Sequence, residues 1–117
     1  MIKSFEDLDI YKESYKLALE IYKITKMYPK DEIYSLTSQI RRASTSITLN
    51  IAEGYGRLSK EDFKRFLKIS LGSNNETITL LKFSKDLNYI KTEEYNELVK
   101  DYKVLSKKIY NLIQKWN

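Results

Sequence analysis

Apolar side chains recur at every third or fourth position through four long stretches of the chain, a spacing that places them on one face of an α-helix. The last stretch shows the pattern most clearly, with intervals alternating between three and four through Tyr95, Leu98, Tyr102, Leu105, Ile109, Leu112 and Trp116. The turn-forming residues Pro29, Gly54 and Gly56 bound stretches that are too long to be strands. The chain is therefore predicted to be all-helical.

Residues that favour helix ends place the boundaries of four predicted helices. Ser4, Ser59 and Thr92 are N-cap residue types, and acidic residues follow each of them within the first turn. Pro29 stops the first helix, because a proline disfavours helical geometry in the residue before it. Gly54 is expected to end the second helix, since glycine adopts the left-handed conformation common at helix C-termini. The predicted helices span about residues 5–27, 32–53, 60–87 and 93–116.

Four helices joined by connections of a few residues predict an antiparallel, up-down-up-down four-helix bundle. A chain of 117 residues has the usual size of one domain, so residues 1–117 are assigned to a single unit. The second helix is expected to bury a row formed by Ile33, Leu36, Ile40, Ala43, Ile47 and Ile51.

The first and third helices carry more apolar surface than one bundle core uses. One stripe of the first helix contains Leu8, Tyr11, Tyr15, Ala18 and Tyr22, and the other contains Ile10, Leu17, Ile21, Ile24 and Tyr28. The third helix likewise separates Phe63, Phe66, Leu67, Leu71, Ile78 and Leu81 from Ile69, Leu80, Phe83 and Leu87. The extra stripes predict burial against other copies of the chain, and hence a homo-oligomer. The alternative is a wide apolar face that wraps a small core.

The composition removes most catalytic and metal-binding chemistry. The chain has no His and no Cys, which excludes a Ser-His-Asp triad, a thiolate nucleophile and the usual zinc ligands. Neither an enzymatic activity nor a cofactor is therefore expected. The longest charge-free stretch, residues 43–52, is about half a membrane span, and the first residues lack the pattern of a secretory signal. A cytoplasmic protein without membrane contact is predicted.

A line of polar side chains runs along the second helix beside its apolar row. Its members are Ser35, Gln39, Arg42, Ser46, Asn50 and Glu53, at intervals of three or four residues. This polar line can face a ligand, or it can form hydrogen bonds between helices. The structural interpretation is favoured, because most such lines are solvated or bonded within the protein.

The net charge of +5 resides in the last three predicted helices. Its densest part contains Arg41, Arg42, Arg57, Lys60, Lys64, Arg65 and Lys68. These residues predict contacts with the phosphates of RNA or DNA, because arginine binds phosphate through paired hydrogen bonds. The alternative is that they only keep the protein soluble and that the chain is a scaffold for a partner protein, with no nucleic-acid role. Tyr55, in the predicted loop beside Arg57, is a candidate for base stacking.

The second and third predicted helices contain a recognisable set of motifs. The central motif is Leu36-Thr37-Ser38-Gln39-Ile40-Arg41-Arg42-Ala43, followed by Asn50-Ile51-Ala52-Glu53-Gly54, Gly56-Arg57 and Ser59. Further motif residues are Phe5, Asp7-Leu8, Tyr28-Pro29, Phe63, Phe66-Leu67, Gly72-Ser73 and Glu76. Together these motifs closely resemble the signature of the four-helix-bundle family named for the 23S ribosomal RNA intervening-sequence protein. The chain departs from the family pattern at Tyr11, Thr48-Leu49 and Asn74-Asn75, and the two asparagines replace residues that are usually more apolar.

The resemblance implies a bacterial four-helix bundle that assembles as a ring-shaped homopentamer and has no established enzymatic activity. The family is similar to the accessory variability determinant of diversity-generating retroelements, a basic pentameric barrel that associates with nucleic acid and a reverse transcriptase. The positions that match the motif are Gln39, Arg42, Asn50, Glu53 and Arg57. Together with the charge pattern, the resemblance favours a self-assembling bundle that binds RNA or DNA without sequence specificity.

Overall fold

The computed structural model describes residues 2–115, which form four α-helices and two short 3-10 turns. Their bounds are Asp9–Thr25 for α1, Leu36–Gly56 for α2, Lys60–Asp86 for α3 and Thr92–Gln114 for α4. No strand occurs among these residues, so the prediction of an all-helical chain is confirmed. Trp116, which the periodicity places at the end of the last apolar row, lies outside the described residues.

Each helix packs against two others, in the cyclic order α1, α2, α3, α4. The α2–α3 seam is the most extensive of the four and the α1–α4 seam is the least. The resulting body measures 42 × 24 × 22 Å, with one continuous apolar core along its long axis. The large side chains that are fully buried at its centre include Ile21, Ile40, Ile47, Ile51, Leu67, Leu81, Tyr102, Leu105 and Ile109.

Small hydroxyl side chains join neighbouring helices inside this core. The Thr48 hydroxyl donates to Ser14 Oγ at 2.9 Å and so links α2 to α1. The Ser70 hydroxyl of α3 donates to the Ile47 carbonyl of α2, also at 2.9 Å. Serine and threonine occupy little space, so two helices can approach closely where these residues face each other, and the Thr48 and Ser70 hydroxyls still find partners.

The first helix begins later than the sequence predicts. Ser4 and Asp7 do form a capping box, but it closes the 3-10 turn Phe5–Asp7 instead of α1. Asp7 accepts hydrogen bonds from the backbone N–H groups of Lys3 and Ser4 at 2.8 and 3.2 Å. Leu8 then takes an extended conformation, with ψ at 131°, and α1 starts at Asp9. The capping signal was therefore correct, whereas the length of the helix that it opens was wrong.

The second helix also starts later than expected, at Leu36 and not near Glu32. A 3-10 turn over Lys30–Glu32 precedes it, and the Glu32 carboxylate accepts hydrogen bonds from the Ser35 hydroxyl and, at 2.7 Å, from the Tyr89 hydroxyl. Ile33 consequently lies outside the helix and is 44% exposed. Its predicted burial is wrong, while the other five members of the predicted apolar row are buried.

Gly54 does not end the second helix, which continues to Gly56. No glycine has a positive φ among residues 2–115, and the left-handed residue in the α2–α3 connection is Leu58, at φ 63°. Gly54 is buried where α2 meets α3, and a Cβ atom built on it would lie 2.6 Å from the Phe66 Cβ. Its role is thus close approach between two helices, and not helix termination.

The extra apolar stripes of the first and third helices are exposed only in part. On α1, Tyr15 and Tyr22 are 51% and 41% exposed, whereas Ala18 of the same stripe is buried. Leu19, which neither predicted stripe includes, is 57% exposed. On α3, Ile69, Phe83 and Leu87 are between 43% and 57% exposed, whereas Leu80, assigned to the same stripe, is buried. Within residues 2–115 no helix is sufficiently long and apolar to cross a membrane.

Candidate nucleic-acid interface

Five of the seven predicted basic residues lie at the end of the bundle where α2 passes into α3. Only residues 57–59 separate the two helices, and the Ser59 side chain caps α3 by accepting the Asp62 N–H at 3.1 Å. This short connection keeps the last turn of α2 beside the first turns of α3. We call this group the basic end; its members are Arg57, Lys60, Lys64, Arg65 and Lys68.

One aromatic ring supports both arginines of the basic end. The guanidinium carbon of Arg57 lies 5.1 Å from the centroid of the Phe66 ring, and that of Arg65 lies 4.5 Å from it. Phe66 itself is only 9% exposed, so the core fixes its position. Stacking on a fixed ring orders two flexible side chains from different elements before any ligand binds.

Each of these arginines also pairs with a carboxylate on its own side of the connection. Arg57 Nε donates to Glu53 Oε2 at 2.9 Å, and Arg65 donates to Asp62 Oδ1 at 3.3 Å. All four side chains are between 41% and 57% exposed, and ion pairs this open contribute about 1 kcal/mol or less. The pairs therefore do not prevent the guanidinium groups from binding a phosphate.

The three lysines of the basic end lie on α3. Lys60, Lys64 and Lys68 are spaced by four residues, which places them in one row on the helix surface. Lys60 and Lys68 are exposed, and Lys64 is half-buried. The row is about 12 Å long, at 1.5 Å per helical residue, so it can track several phosphates of one strand.

Arg41 and Arg42 lie far from the basic end. They precede Arg57, the residue directly after α2, by 16 and 15 residues, a separation of about 24 Å along the helix axis. Arg41 faces α1, where its Nε donates to Thr25 Oγ1 at 2.8 Å and its guanidinium lies 4.7 Å from the centroid of the Tyr22 ring. The structure therefore does not bring all seven basic residues into one surface.

The polar line of α2 borders a shallow cleft against α3. Gln39, Arg42, Ser46 and Asn50 line this cleft of about 560 Å³ together with Glu76 of α3. Ser46 shares a hydrogen bond of 2.9 Å with Ser73 of α3, and Asn50 Nδ2 donates to the Ser46 carbonyl and hydroxyl at 2.8 and 3.0 Å.

The two ends of the polar line differ from its centre. At one end, Ser35 lies before the first residue of α2 and donates to Glu32. At the other end, Glu53 does not line the cleft and pairs with Arg57. The centre of the line therefore bonds within the protein, whereas the side chains of Gln39 and Arg42 have no hydrogen bond to any described residue.

The glycines beside Tyr55 predict a loop at this position, and this prediction is wrong. Tyr55 lies in the last turn of α2 and is half-buried, with its ring edge-on to the Phe63 ring at a centroid distance of 5.9 Å. This perpendicular ring contact packs the Tyr55 side chain against α3. The structure assigns Tyr55 to the α2–α3 contact.

A second charged feature, which the sequence analysis did not identify, lies between α1 and α4. An open groove of about 590 Å³ has an apolar floor that includes Leu17, Ile24, Leu98 and Val104. We call it the acidic groove, because its other lining residues are Glu13, Lys16, Glu20, Glu93, Glu94, Glu97 and Asp101. Acidic residues at intervals of four and seven on two separate helices are the signal in the sequence, but only the packing of α1 on α4 brings them together.

An ammonium group of the chain already occupies one end of this seam. Lys108 Nζ of α4 donates to Asp9 Oδ2 and to both carboxylate oxygens of Glu13 on α1, each at 3.0 Å. Glu13 first, and then Asp9, raise the pKa of Lys108 above its usual value, because both carboxylates stabilise the charged ammonium.

Comparisons with known proteins agree with this architecture. A crystal structure at 1.70 Å resolution, of a protein with unknown function from the S23 ribosomal protein family of Bacteroides thetaiotaomicron VPI-5482, is 28% identical to the chain. The match covers 90% of this chain and 95% of the other, with a TM-score of 0.83. No curated protein matches the chain. The family model described as 23S rRNA-intervening sequence protein matches residues 6–111, so the chain belongs to the 23S rRNA-intervening sequence protein family.

Proposed function

We propose that the protein is a non-enzymatic, self-assembling bundle whose basic end binds the phosphate backbone of RNA or DNA without sequence specificity. The observation that carries this proposal is the stacking of Arg57 and Arg65 on one buried ring, Phe66. Two guanidinium groups held against one ring lose little side-chain freedom when they bind phosphate, and each presents a fork of donors. The family name, which refers to a ribosomal RNA insertion, is consistent with a nucleic-acid partner.

The distribution of charge supports the same proposal. Six carboxylates line the acidic groove between α1 and α4, whereas the basic end belongs to α2 and α3. In the antiparallel up-down-up-down bundle that we expect, α3 lies diagonally opposite α1, and the packing of each of these helices against α2 and α4 but not against each other supports this. A polyanion would approach the α2–α3 side and avoid the groove, because the potential differs in sign between these surfaces.

The affinity for nucleic acid is expected to fall steeply with salt and to depend on the two stacked arginines. The test compares the unmodified protein with the double variant Arg57→Gln, Arg65→Gln. Fluorescence anisotropy of a labelled 25-nucleotide RNA or DNA strand measures the affinity of each protein between 50 and 200 mM salt. Removing two phosphate contacts should reduce the slope of log affinity against log salt by about 1.4, since each contact on a single strand contributes about 0.7.

A matched control carries the same change in charge on the far helix. Lys12→Gln with Lys23→Gln removes two exposed cations from α1 and should leave the salt slope unchanged. An equal reduction of the salt slope in the two double variants would contradict a localised interface. An absence of binding by the unmodified protein at 50 mM salt would contradict nucleic-acid binding altogether.

Self-assembly is expected through the exposed apolar faces of α1 and α3. Leu19 and Phe83 are each 57% exposed, and their neighbours Tyr15, Tyr22 and Leu87 extend both faces. Apolar surface of this extent on two sides of a small bundle is typical of a subunit with neighbours on both sides, and the arrangement we expect is a ring of five copies. Light scattering at tens of micromolar should report a mass near five times 13.9 kDa.

The double variant Leu19→Glu with Phe83→Glu is expected to dissociate the assembly, because it places charges on both faces. Met27→Glu with Tyr34→Glu is the matched control, since these residues are 83% and 94% exposed and lie outside both faces. A monomeric unmodified protein would contradict self-assembly. An assembled Leu19→Glu, Phe83→Glu variant would contradict the assignment of these faces.

A scaffold for a partner protein is the second candidate function. The acidic groove favours it, since a groove with this charge repels nucleic acid and has an apolar floor that a protein segment can cover. Copurification of a protein that survives nuclease treatment, together with no anisotropy change on any nucleic acid, would support the scaffold over the nucleic-acid function.

A further inference from the structure

We propose that the acidic groove between α1 and α4 is a docking site for a basic amphipathic helix of a partner protein. This inference does not rest on nucleic-acid binding, because the groove and the basic end share no residue. It starts from the seam itself, which is the least extensive of the four helix contacts in the bundle. The open seam leaves apolar side chains, including half-buried Ile24 and 45% exposed Val104, accessible from outside.

The negative charge along the groove favours a positively charged occupant. Six carboxylates and one lysine line it, a net charge of −5. Among residues 2–115, Glu20, Glu93, Glu97 and Asp101 have no ion-pair partner, so most of this charge is not balanced within the chain. Lys108 shows that the seam accepts an ammonium, since Asp9 and Glu13 hold its Nζ at 3.0 Å. A segment bearing lysine or arginine is the complementary partner.

The spacing of the carboxylates fits a helix. Glu93, Glu97 and Asp101 form one row on α4 with a rise of about 12 Å, and Glu13 and Glu20 are about 10 Å apart along α1. Each row therefore spans about two helical turns. A helix lying in the groove with basic residues one turn apart would meet carboxylates on both sides, while its apolar row covers the floor.

Other occupants fit less well. A divalent cation is disfavoured, because the described residues include no group of three carboxylates arranged to hold one. The basic end of a second copy has the right charge, but its apolar residues Phe66 and Leu67 are buried in its own core and cannot cover the floor. The groove requires one segment that presents both basic and apolar rows.

The test uses the full chain and an 18-residue synthetic peptide of leucine and lysine, with the leucines at helical spacing, labelled for fluorescence anisotropy. Glu97→Gln with Asp101→Gln should weaken peptide binding about tenfold at low salt, because it removes two exposed ion pairs. Glu6→Gln with Glu76→Gln makes the same change in charge outside the groove and should have no effect. Val104→Thr keeps the shape of the floor but adds a hydroxyl, and should weaken binding about fourfold at any salt concentration.

Three results would overturn the proposal. The first is that the groove variant and its control weaken peptide binding equally. The second is that a peptide with the same composition in scrambled order binds as tightly as the helical peptide. The third is a smaller particle for Glu97→Gln with Asp101→Gln in light scattering, which would assign the groove to a second copy of the chain. Peptide binding that depends on the groove carboxylates, on Val104 and on the helical order, with an unchanged particle mass, would support it.

Discussion

Replacing Gly54 with alanine is expected to lower the free energy of unfolding by about 2 kcal/mol, although alanine is the better helix former. Gly54 lies within α2 and is buried against α3. A Cβ atom at this position would lie 2.6 Å from the Phe66 Cβ and 3.1 Å from the Phe63 Cδ1. Because the Phe66 Cβ is attached directly to the α3 backbone, rotation of a side chain cannot relieve the clash. The two helices have to separate, and this cost exceeds the gain of about 1 kcal/mol in helix propensity.

Gly72→Ala provides the matched control for Gly54→Ala. Gly72 is exposed within α3, and a Cβ atom there would meet nothing within 4 Å. The same substitution should therefore raise the free energy of unfolding by about 0.8 kcal/mol through helix propensity alone. Urea unfolding at one fixed protein concentration measures both variants. Equal stability of the two variants would show that α2 and α3 do not make the close contact that Gly54 permits.

Gly54→Ala also tests how the fold supports the basic end. Phe66 lies directly against Gly54, and the rings of Phe66 and Phe63 support Arg57, Arg65 and Tyr55. A shift of α3 by a few tenths of an ångström would change the stacking of both guanidinium groups. Packing at one glycine is thus connected to the geometry of the proposed phosphate contacts, although Gly54 itself carries no charge.

The sequence predicted the apolar seams better than the ends of the helices. Leu98, Tyr102, Leu105 and Ile109 are buried as their spacing required, because a three-to-four repeat has one geometric solution on a helix. Gly54 was assigned to a helix end because glycine has two uses, a left-handed terminus and close packing. Local sequence does not distinguish the two, since the second depends on Phe66, which lies twelve residues later and on another helix.

The charged surfaces show a second limit of prediction from the sequence. A helical wheel gives the face on which a side chain lies, but it does not give the neighbour that face meets. Arg41 and Arg42 are adjacent in sequence, yet Arg41 faces Thr25 and Tyr22 of α1, whereas Arg42 borders the cleft against α3. The acidic groove was not predicted, for the same reason. Glu20 and Glu97 line the same groove but are 77 positions apart, and the sequence around each of them is not acidic enough to indicate a site.

Asn74 is a polar residue that lies within the apolar core without a side-chain hydrogen bond. Its side chain is 0% exposed, and neither its amide nitrogen nor its amide oxygen has a partner among the described residues. The Tyr102 hydroxyl on α4 is also buried and unpaired, and burial raises the pKa of Tyr102 above its ordinary value. Burying an amide without a hydrogen bond costs about 1 to 3 kcal/mol in proteins.

Asn74→Leu is therefore expected to raise the free energy of unfolding by about 1 to 2 kcal/mol, because it replaces the unpaired amide with an apolar side chain that has the same number of heavy atoms. Asn75→Leu is the matched control: Asn75 is exposed on the same turn of α3, so it has no comparable cost to relieve, and its replacement should change stability by about 0.5 kcal/mol or less. Urea unfolding at a fixed protein concentration compares the two. A lower stability for Asn74→Leu would mean that the amide does bind a partner in the folded protein, such as an internal water, and that this polar position contributes to the stability of the bundle.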